Sequence, residues 1–409
     1  MKSICFIVQS VYDFDPRVRR KAETLVAEGY RVDVLSMRPS RGEKEYVLNG
    51  VNVRTVALGK ERGSRLRYIF EYAVFFLWAF LRVSVQMARR HYAIVDVNSL
   101  PDFLVFAAVL AKSMGAKVIL DLHEITPEFY MSKYAIEPDS WTVRLLKYIE
   151  KLSVDFANHV ITINEPAEDL FHSRGLAREK MTVIMNTADE SRFGAEEAGR
   201  ATNAKRADKF VMMYHGTLTR IYGLDIAVEA LALAHDKMPG AEFWILGSGS
   251  EKDILAALAE ARGIASKVKL LGQVAPSEIP KWLSQCDVGL LPIRRDVFLD
   301  FAFPNKLPEF IIMGKAVIVS RLKAIRHYFS EEALSYFEPN DPADLARQMI
   351  RMYRDAQLRR SLASEAKAQY APIRWNIMKG RYSRLIEDMT GVPLPHGINQ
   401  STPGVESEP

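Results

Sequence analysis

Short apolar runs rich in β-branched residues alternate along the chain with segments whose apolar residues recur at three- and four-residue spacing. Runs at 4–8, 32–35, 53–56, 94–97, 118–120, 160–163 and 183–185 predict strands in the first half, and runs at 210–214, 243–246, 268–271, 288–291 and 317–319 repeat the scheme in the second. Between them, Val18, Ala22, Leu25 and Val26 mark one helix face that Gly29 closes, and Leu224, Val228 and Leu231 mark another. The runs are apolar throughout rather than alternating, which suits strands buried on both faces. Strands interleaved with helices predict the α/β class: parallel sheets covered by helices on both sides.

The scheme breaks once. Residues 188–208 are small and charged and carry no apolar stripe, which predicts a linker between an N-terminal domain over 1–187 and a C-terminal domain over 209–372. Residues 373–389 are expected to form a closing helix that returns to the N-terminal domain, and 390–409, rich in Pro, Gly and Ser, a disordered tail. Residues 68–81 are almost wholly apolar but fall short of the ~20 residues of a membrane span. Arg62, Arg65 and Arg67 precede them and Arg82, Arg89 and Arg90 follow. Residues 65–90 therefore read equally well as an interfacial helix on a membrane or as a helix packed beneath the N-terminal sheet.

Composition narrows the class. A chain of 409 residues, 48% hydrophobic and 26% charged, suits a soluble two-domain enzyme. Cys5 and Cys286 are isolated, which predicts neither a disulfide framework nor a metal site and fits a reducing compartment. The opening MKSICFIVQS is too short an apolar run for a signal peptide, so a cytoplasmic location is expected. The net charge of +5 is not gathered into basic runs with stacking aromatics, which argues against nucleic acid as a partner.

In parallel α/β sheets ligands bind at the carboxyl ends of strands, which singles out four segments. After 210–214 come His215, Gly216 and Thr217, then Arg220 and Gly223 before a helix. A glycine turn there brings backbone N–H groups toward an anion, though an ordinary tight turn with a surface arginine has the same composition. Gly247-Ser248-Gly249-Ser250 follows the next strand, as either a second such turn or a purely structural one. Lys306 and Glu309 lie three apart at the start of a helix and share a face. Lysine there suits phosphate oxygens and the carboxylate suits ribose hydroxyls, while a surface ion pair is the plain alternative. His123 and Glu124 follow 118–121 at a strand end of the first half.

From 212 to 320 the chain resembles glycosyltransferase family 4, retaining enzymes of the GT-B fold. The blocks run in order: the 216–223 turn with its helix, 244–249, 268–272, 286–292 and 305–320. Asp15-Pro16-Arg17-Val18-Arg19 with Gly29-Tyr30, Asp121-Leu122-His123-Glu124, and Asn186 with Phe193 resemble its N-terminal half. The resemblance implies two Rossmann-like domains facing each other across a cleft. The donor, a nucleotide-sugar, would be held by the C-terminal half and a glycan or lipid-linked acceptor by the other. By residue, it implies ribose binding by Glu309, diphosphate and sugar contacts from Asn305, Lys306 and Leu307 with Gly216, Thr217 and Gly247, and a place near the reaction centre for His123. Asp15, Arg17 and Glu124 fall on the acceptor side.

The chain departs from the family at three positions. The first acid of the paired motif falls at Phe301, with Asp300 the nearest carboxylate. Thr217 and Tyr222 replace an arginine and a lysine, leaving Arg220 to stand in for that basic pair. No Asp-x-Asp motif lies in the donor-side loops, so no metal or other cofactor is expected, and His123, Arg220 and Lys306 form the expected catalytic set. Retention follows from the resemblance alone. The expected role is bacterial-type cell-surface polysaccharide synthesis, in the cytoplasm or on the inner face of its membrane. A sugar-nucleotide 2-epimerase of the same fold and a non-catalytic partner protein remain as alternatives.

Overall fold

The structure, a computed structural model, describes residues 2–39, 42–58, 65–193 and 209–391. Its strands form two sheets. The first joins β1 (Ser3–Val11), β2 (Arg31–Met37), β3 (Glu45–Leu48), β4 (Val51–Val56), β5 (Tyr92–Asn98), β6 (Lys117–Asp121), β7 (His159–Thr162) and β8 (Met181–Val183) in the order β3-β4-β2-β1-β5-β6-β7-β8. The second joins β9 (Phe210–His215), β10 (Ala241–Leu246), β11 (Val268–Gly272), β12 (Val288–Leu291), β13 (Ala316–Ser320) and β14 (Ser335–Phe337) in the order β11-β10-β9-β12-β13-β14. Pairing in the second sheet is parallel throughout. In the first, β3 alone is recorded as antiparallel, against β4.

The expected α/β class is what forms, because β1, β9, β12 and β13 are buried along nearly their whole length and can only sit between helical layers. The strand expected over 183–185 instead occupies Met181–Val183. Ile184 and Met185 stay buried beyond its end, so their apolarity reports burial and not strand extent. The short strands β3 and β14 escape the apolar pattern, β3 because it is a half-exposed edge.

By contacts the chain divides into two compact units. One comprises Met1–Asn98, Leu104–Ile119 and the chain from Lys379 on. The other comprises Ser99–Phe103 and Leu120–Met378. In the first unit Tyr382 Oη donates to Asp96 at 2.9 Å, and Lys21 Nζ lies 3.4 Å from the same carboxylate and 3.1 Å from Asn98 Oδ1. The last helix runs Trp375–Thr390, and Thr390 is buried against Tyr30 and Lys2, although the tail was expected to start there. The rest of that tail, 392–409, and most of the expected linker, 194–208, lie outside the described residues.

The apolar stretch of the first half is the helix Arg65–Arg90. Its Phe70–Arg90 part, of mean hydropathy 1.2, is long and apolar enough to cross a membrane by length and composition, yet a third of it is buried in the fold. Phe75, Ala79, Val83 and Met87 form the packed face; Phe70, Leu77, Leu81 and Val85 form an exposed row. Arg90 turns inward to Asp33 and Arg67 pairs with Glu71 at 3.1 Å. Both readings of 65–90 thus have a face of the helix to stand on.

Candidate functional site

The order of the second sheet reverses beside β9: β10 and β11 lie on one side, β12 to β14 on the other. Such a reversal opens a crevice at the carboxyl end. Two glycine turns build it. Gly216, at φ +127°, and Gly247, at φ +141°, follow β9 and β10 in backbone regions closed to other residues. A Cβ at 247 would collide with the Gly216 carbonyl, and one at 216 with the Lys306 side chain. Gly216 N–H donates to Leu246 at 2.9 Å, Leu218 N–H to Ser248 at 2.9 Å and Gly247 N–H to Gly272 at 2.7 Å, so the turns form one platform. Beside it lies a cavity of about 220 Å³ whose wall includes His215, Thr217, Ser248, Gln273, Val274 and Ile279.

Over this platform stand three titratable groups. Lys306 opens the helix Lys306–Ile312 and lays its ammonium 4.4 Å from the Tyr222 ring centroid and 5.7 Å from that of Tyr214. Burial lowers its pKa and Glu309 opposes. Burial pushes Glu309 up to about 7, with Arg192 and Lys306 opposing. His215 is 5% exposed, and burial, reinforced by Lys306, pushes it down to about 3. The imidazole is therefore neutral, and its Nε2, 3.3 Å from Glu309 Oε2, is no ion pair. It also finds no hydrogen bond among the described residues. A cation, a carboxyl and an unsatisfied imidazole held half-dry suit a ligand with both anionic and hydroxyl groups.

The other expected residues are placed differently. Asn305 is exposed at the N-cap, without a side-chain capping bond. Leu307 is fully buried and its N–H donates to Pro304 at 3.0 Å, so its side chain serves the core. Arg220 is exposed on the turn Arg220–Tyr222, and its guanidinium has no recorded partner among the described residues. Asp300 accepts from Lys323 N–H at 2.9 Å and lies 3.6 Å from Arg295, so the nearest acid to the departed position is already engaged. In the first unit Asp15 caps the helix Pro16–Ala27, accepting from Arg17 N–H at 3.2 Å, and holds the Arg17 guanidinium at 3.1 Å.

The loop after β6 belongs to the same compact unit as the crevice. His123 Nε2 lies 3.6 Å from Asp121 Oδ2, and His123 N–H donates to Ser99 at 3.2 Å. The Tyr222 phenol is pushed up first by burial and then by the Glu124 carboxylate. Below this loop, Arg174 holds Glu150 at 2.9 Å and also pairs with Glu128, while Thr126 donates to Asp102 at 2.8 Å. Burial pushes Glu150 up to about 8 against Arg174, and Asp102 up to about 6 against Thr126.

His215, Asp121, Arg192 and this Arg174 cluster are not among the site residues expected from sequence. Two of them carry a signal that could have found them: Asp121 lies two positions from His123 at a strand end, and His215 lies at a strand end directly before Gly216.

Two family profiles match the chain: Glycosyl transferase 4-like domain over residues 15–187 and Glycosyl transferases group 1 over 209–355. A probable glycosyltransferase, WbjE of Pseudomonas aeruginosa, is 23% identical over 272 residues, 64% of this chain and 66% of its own length. The N,N'-diacetylbacillosaminyl-diphospho-undecaprenol alpha-1,3-N-acetylgalactosaminyltransferase of Campylobacter jejuni is 25% identical over 252 residues, 59% of this chain and 64% of its own. The chain thus spans just under two thirds of the length of these relatives. The solved structure of HepE from Anabaena in complex with UDP superposes with a TM-score of 0.69 at 17% identity, covering 95% of this chain and all of that one, a likeness of fold.

Proposed function

The chain belongs to the group 1 glycosyltransferases of the GT-B fold, and from there we propose that it moves a sugar from a nucleotide-sugar donor to a glycan or lipid-linked acceptor with retention. The setting we propose is bacterial-type cell-surface polysaccharide synthesis on the cytoplasmic face of the membrane. One observation carries the reading: the Lys306 side chain lies across bare Gly216 backbone at the end of β9, with the Glu309 carboxyl one helical turn on. The undecaprenol-linked acceptor in the name of the Campylobacter relative and the UDP held by HepE support the acceptor and donor classes.

In this reading the cavity beside Gly216 takes the base, Val274 and Ile279 covering its faces and Ser248 and Gln273 meeting its polar edge. Glu309 accepts both ribose hydroxyls, and Lys306 meets the diphosphate. Transfer breaks the bond from the anomeric carbon to the phosphate oxygen, which keeps the electron pair. The acceptor hydroxyl bonds to that carbon from the same face and passes its proton to the departing phosphate. Charge grows on that phosphate as the bond breaks, where a preorganised cation does most. His123, oriented by Asp121, contacts the transferred sugar. Arg220 supplies a second cation and the reaction needs no metal. The exposed row Phe70, Leu77, Leu81 and Val85, flanked by Arg82 and Arg89, makes the peripheral membrane contact.

One observation favours a second reading. With Phe301 at the sugar-contacting position and Asp300 already engaged, a chain that binds donor without turning it over is the rival. Incubation with a panel of sugar nucleotides and a polyprenyl-diphosphate glycan separates the two. Nucleotide release with an α-configured product from an α-configured donor, insensitive to EDTA, is expected. Donor binding without release supports the rival, and an inverted product contradicts retention.

A further inference from the structure

The turn Arg220–Tyr222 leads from β9 into the helix Leu224–Ala234, and Arg294, which follows β12 and lies outside the cavity wall, fastens it. Arg294 N–H donates to the Ile221 carbonyl at 3.0 Å, and its Nε donates to the Arg220 carbonyl at 3.1 Å. One Nη of the same guanidinium pairs with Asp225 in the first turn of the helix, and the other donates to Asn340 Oδ1 at 3.3 Å. Every guanidinium nitrogen thus has a partner inside the fold. The turn itself closes with one bond, from Tyr222 N–H to the Thr219 carbonyl at 3.0 Å. The bonds from Arg294 are extra to that, and they fix where the turn stands rather than its shape.

This turn carries the Tyr222 ring. Its centroid lies 4.4 Å from Lys306 Nζ and 6.0 Å from that of Tyr214, whose phenol donates to the Thr217 carbonyl at 2.9 Å. Among the described residues Lys306 has no recorded ion pair or hydrogen bond, so its ammonium rests on these two rings. A lysine stem rotates freely and does not hold one position unaided. A carboxylate partner would hold the ammonium and neutralise it. A ring face attracts it and leaves the whole charge and every N–H donor for an anion.

We propose that Tyr222 and Arg294 are positioning residues for transfer: Arg294 pins the turn, and the Tyr222 ring on that turn sets the Lys306 ammonium over Gly216 for the donor diphosphate. The proposal rests on the donor reading of the crevice. Arg294, with its guanidinium spent inside the fold, acts only through the turn.

The test uses the full chain, a panel of sugar nucleotides with nucleotide release as turnover, and variants first shown to keep their thermal midpoint; Arg294→Lys takes the place of Arg294→Met if the latter does not. Tyr222→Leu and Arg294→Met should each lower kcat about tenfold and change the donor KM less, the loss expected of a displaced cation–π contact. Tyr222→Phe keeps the ring face and should recover most of the loss. On a Lys306→Met background neither Tyr222→Leu nor Arg294→Met should cost anything further, because both act through that ammonium. Nuclear magnetic resonance of isotope-labelled lysine reads the geometry without a donor. The Lys306 Cε protons should show the upfield shift of a group over a ring face in wild type and Tyr222→Phe, lose it in Tyr222→Leu and keep less of it in Arg294→Met. Three results overturn the proposal: no upfield shift in wild type, undiminished kcat in Tyr222→Leu, or losses that persist in full without Lys306, which make the pair merely structural. Each of these leaves the donor reading standing. A wild type that releases no nucleotide refutes transfer itself, and the positioning role falls with it.

Discussion

The crevice after β9 and the loop after β6 both bring charged side chains out of water, and they treat them in opposite ways. Beneath the β6 loop, Arg174 is spent on Glu128 and Glu150, so the cation has its partners inside the protein, although Glu128 Oε2 finds no hydrogen bond among the described residues. In the crevice, Lys306 and Glu309 share a helix face but meet no closed network, and His215 Nε2 has no hydrogen bond among the described residues. A self-neutralised cluster holds a shape. An unsatisfied one stores desolvation that a ligand can relieve, because its groups gain partners only when something binds. The contrast separates a supporting region from a binding region without reference to any relative.

The contrast breaks most readily at Arg174. Arg174→Ala would leave Glu128 and Glu150 buried and unanswered, at a cost of about 3–5 kcal/mol of stability in chemical denaturation. The part of that loss due to Glu150 should appear as pH rises past about 8, where wild type ionises the group and the variant does not. A buried carboxyl with a raised pKa keeps its proton in the fold, so it costs nothing below the free value of 4.5 and progressively more as pH rises toward about 8. Removing the arginine extends that decline upward. A loss independent of pH would show that the cluster is not what Arg174 serves.

Lys306→Ala should do the reverse. Removing a half-dry ammonium leaves stability within about 1 kcal/mol. Turnover should fall roughly a hundredfold, about 3 kcal/mol, and by more than donor binding weakens. Matched losses in stability and turnover would make Lys306 another structural residue and erase the distinction. A smaller effect sharpens it. With Glu309 near pKa 7, its ionised share falls from about nine-tenths at pH 8 to about one-tenth at pH 6, so donor affinity should drop ~tenfold over that range. Glu309→Gln should flatten the profile. Calorimetry with a sugar nucleotide, whose phosphates do not titrate there, reads both.

Much of the fold is legible in the order of residues because burial on two faces writes itself as continuous apolar runs. The runs at 210–214 and 288–291 coincide with β9 and β12 to within a residue. The Lys306–Glu309 pair is legible because three positions on a helix is a local relation. What brings Arg174 to Glu150 and Glu128 is not local: they are 24 and 46 residues apart, and no spacing rule connects them. His215 reads as the end of an apolar strand, and it is burial in the fold, reinforced by Lys306, that leaves its ring neutral, with Nε2 lacking a hydrogen bond among the described residues.

The central claim is that the crevice after β9 holds a nucleotide with its ribose on Glu309, and calorimetry with nucleoside diphosphates and their 2′- and 3′-deoxy analogues tests it most directly. Wild type should bind at least one nucleoside diphosphate and lose about tenfold in affinity for each deoxy analogue, the effect of one hydrogen bond to a charged group. Glu309→Gln should bind the parent more weakly and discriminate far less. Absence of nucleotide binding, or undiminished ribose discrimination in Glu309→Gln, would contradict the account.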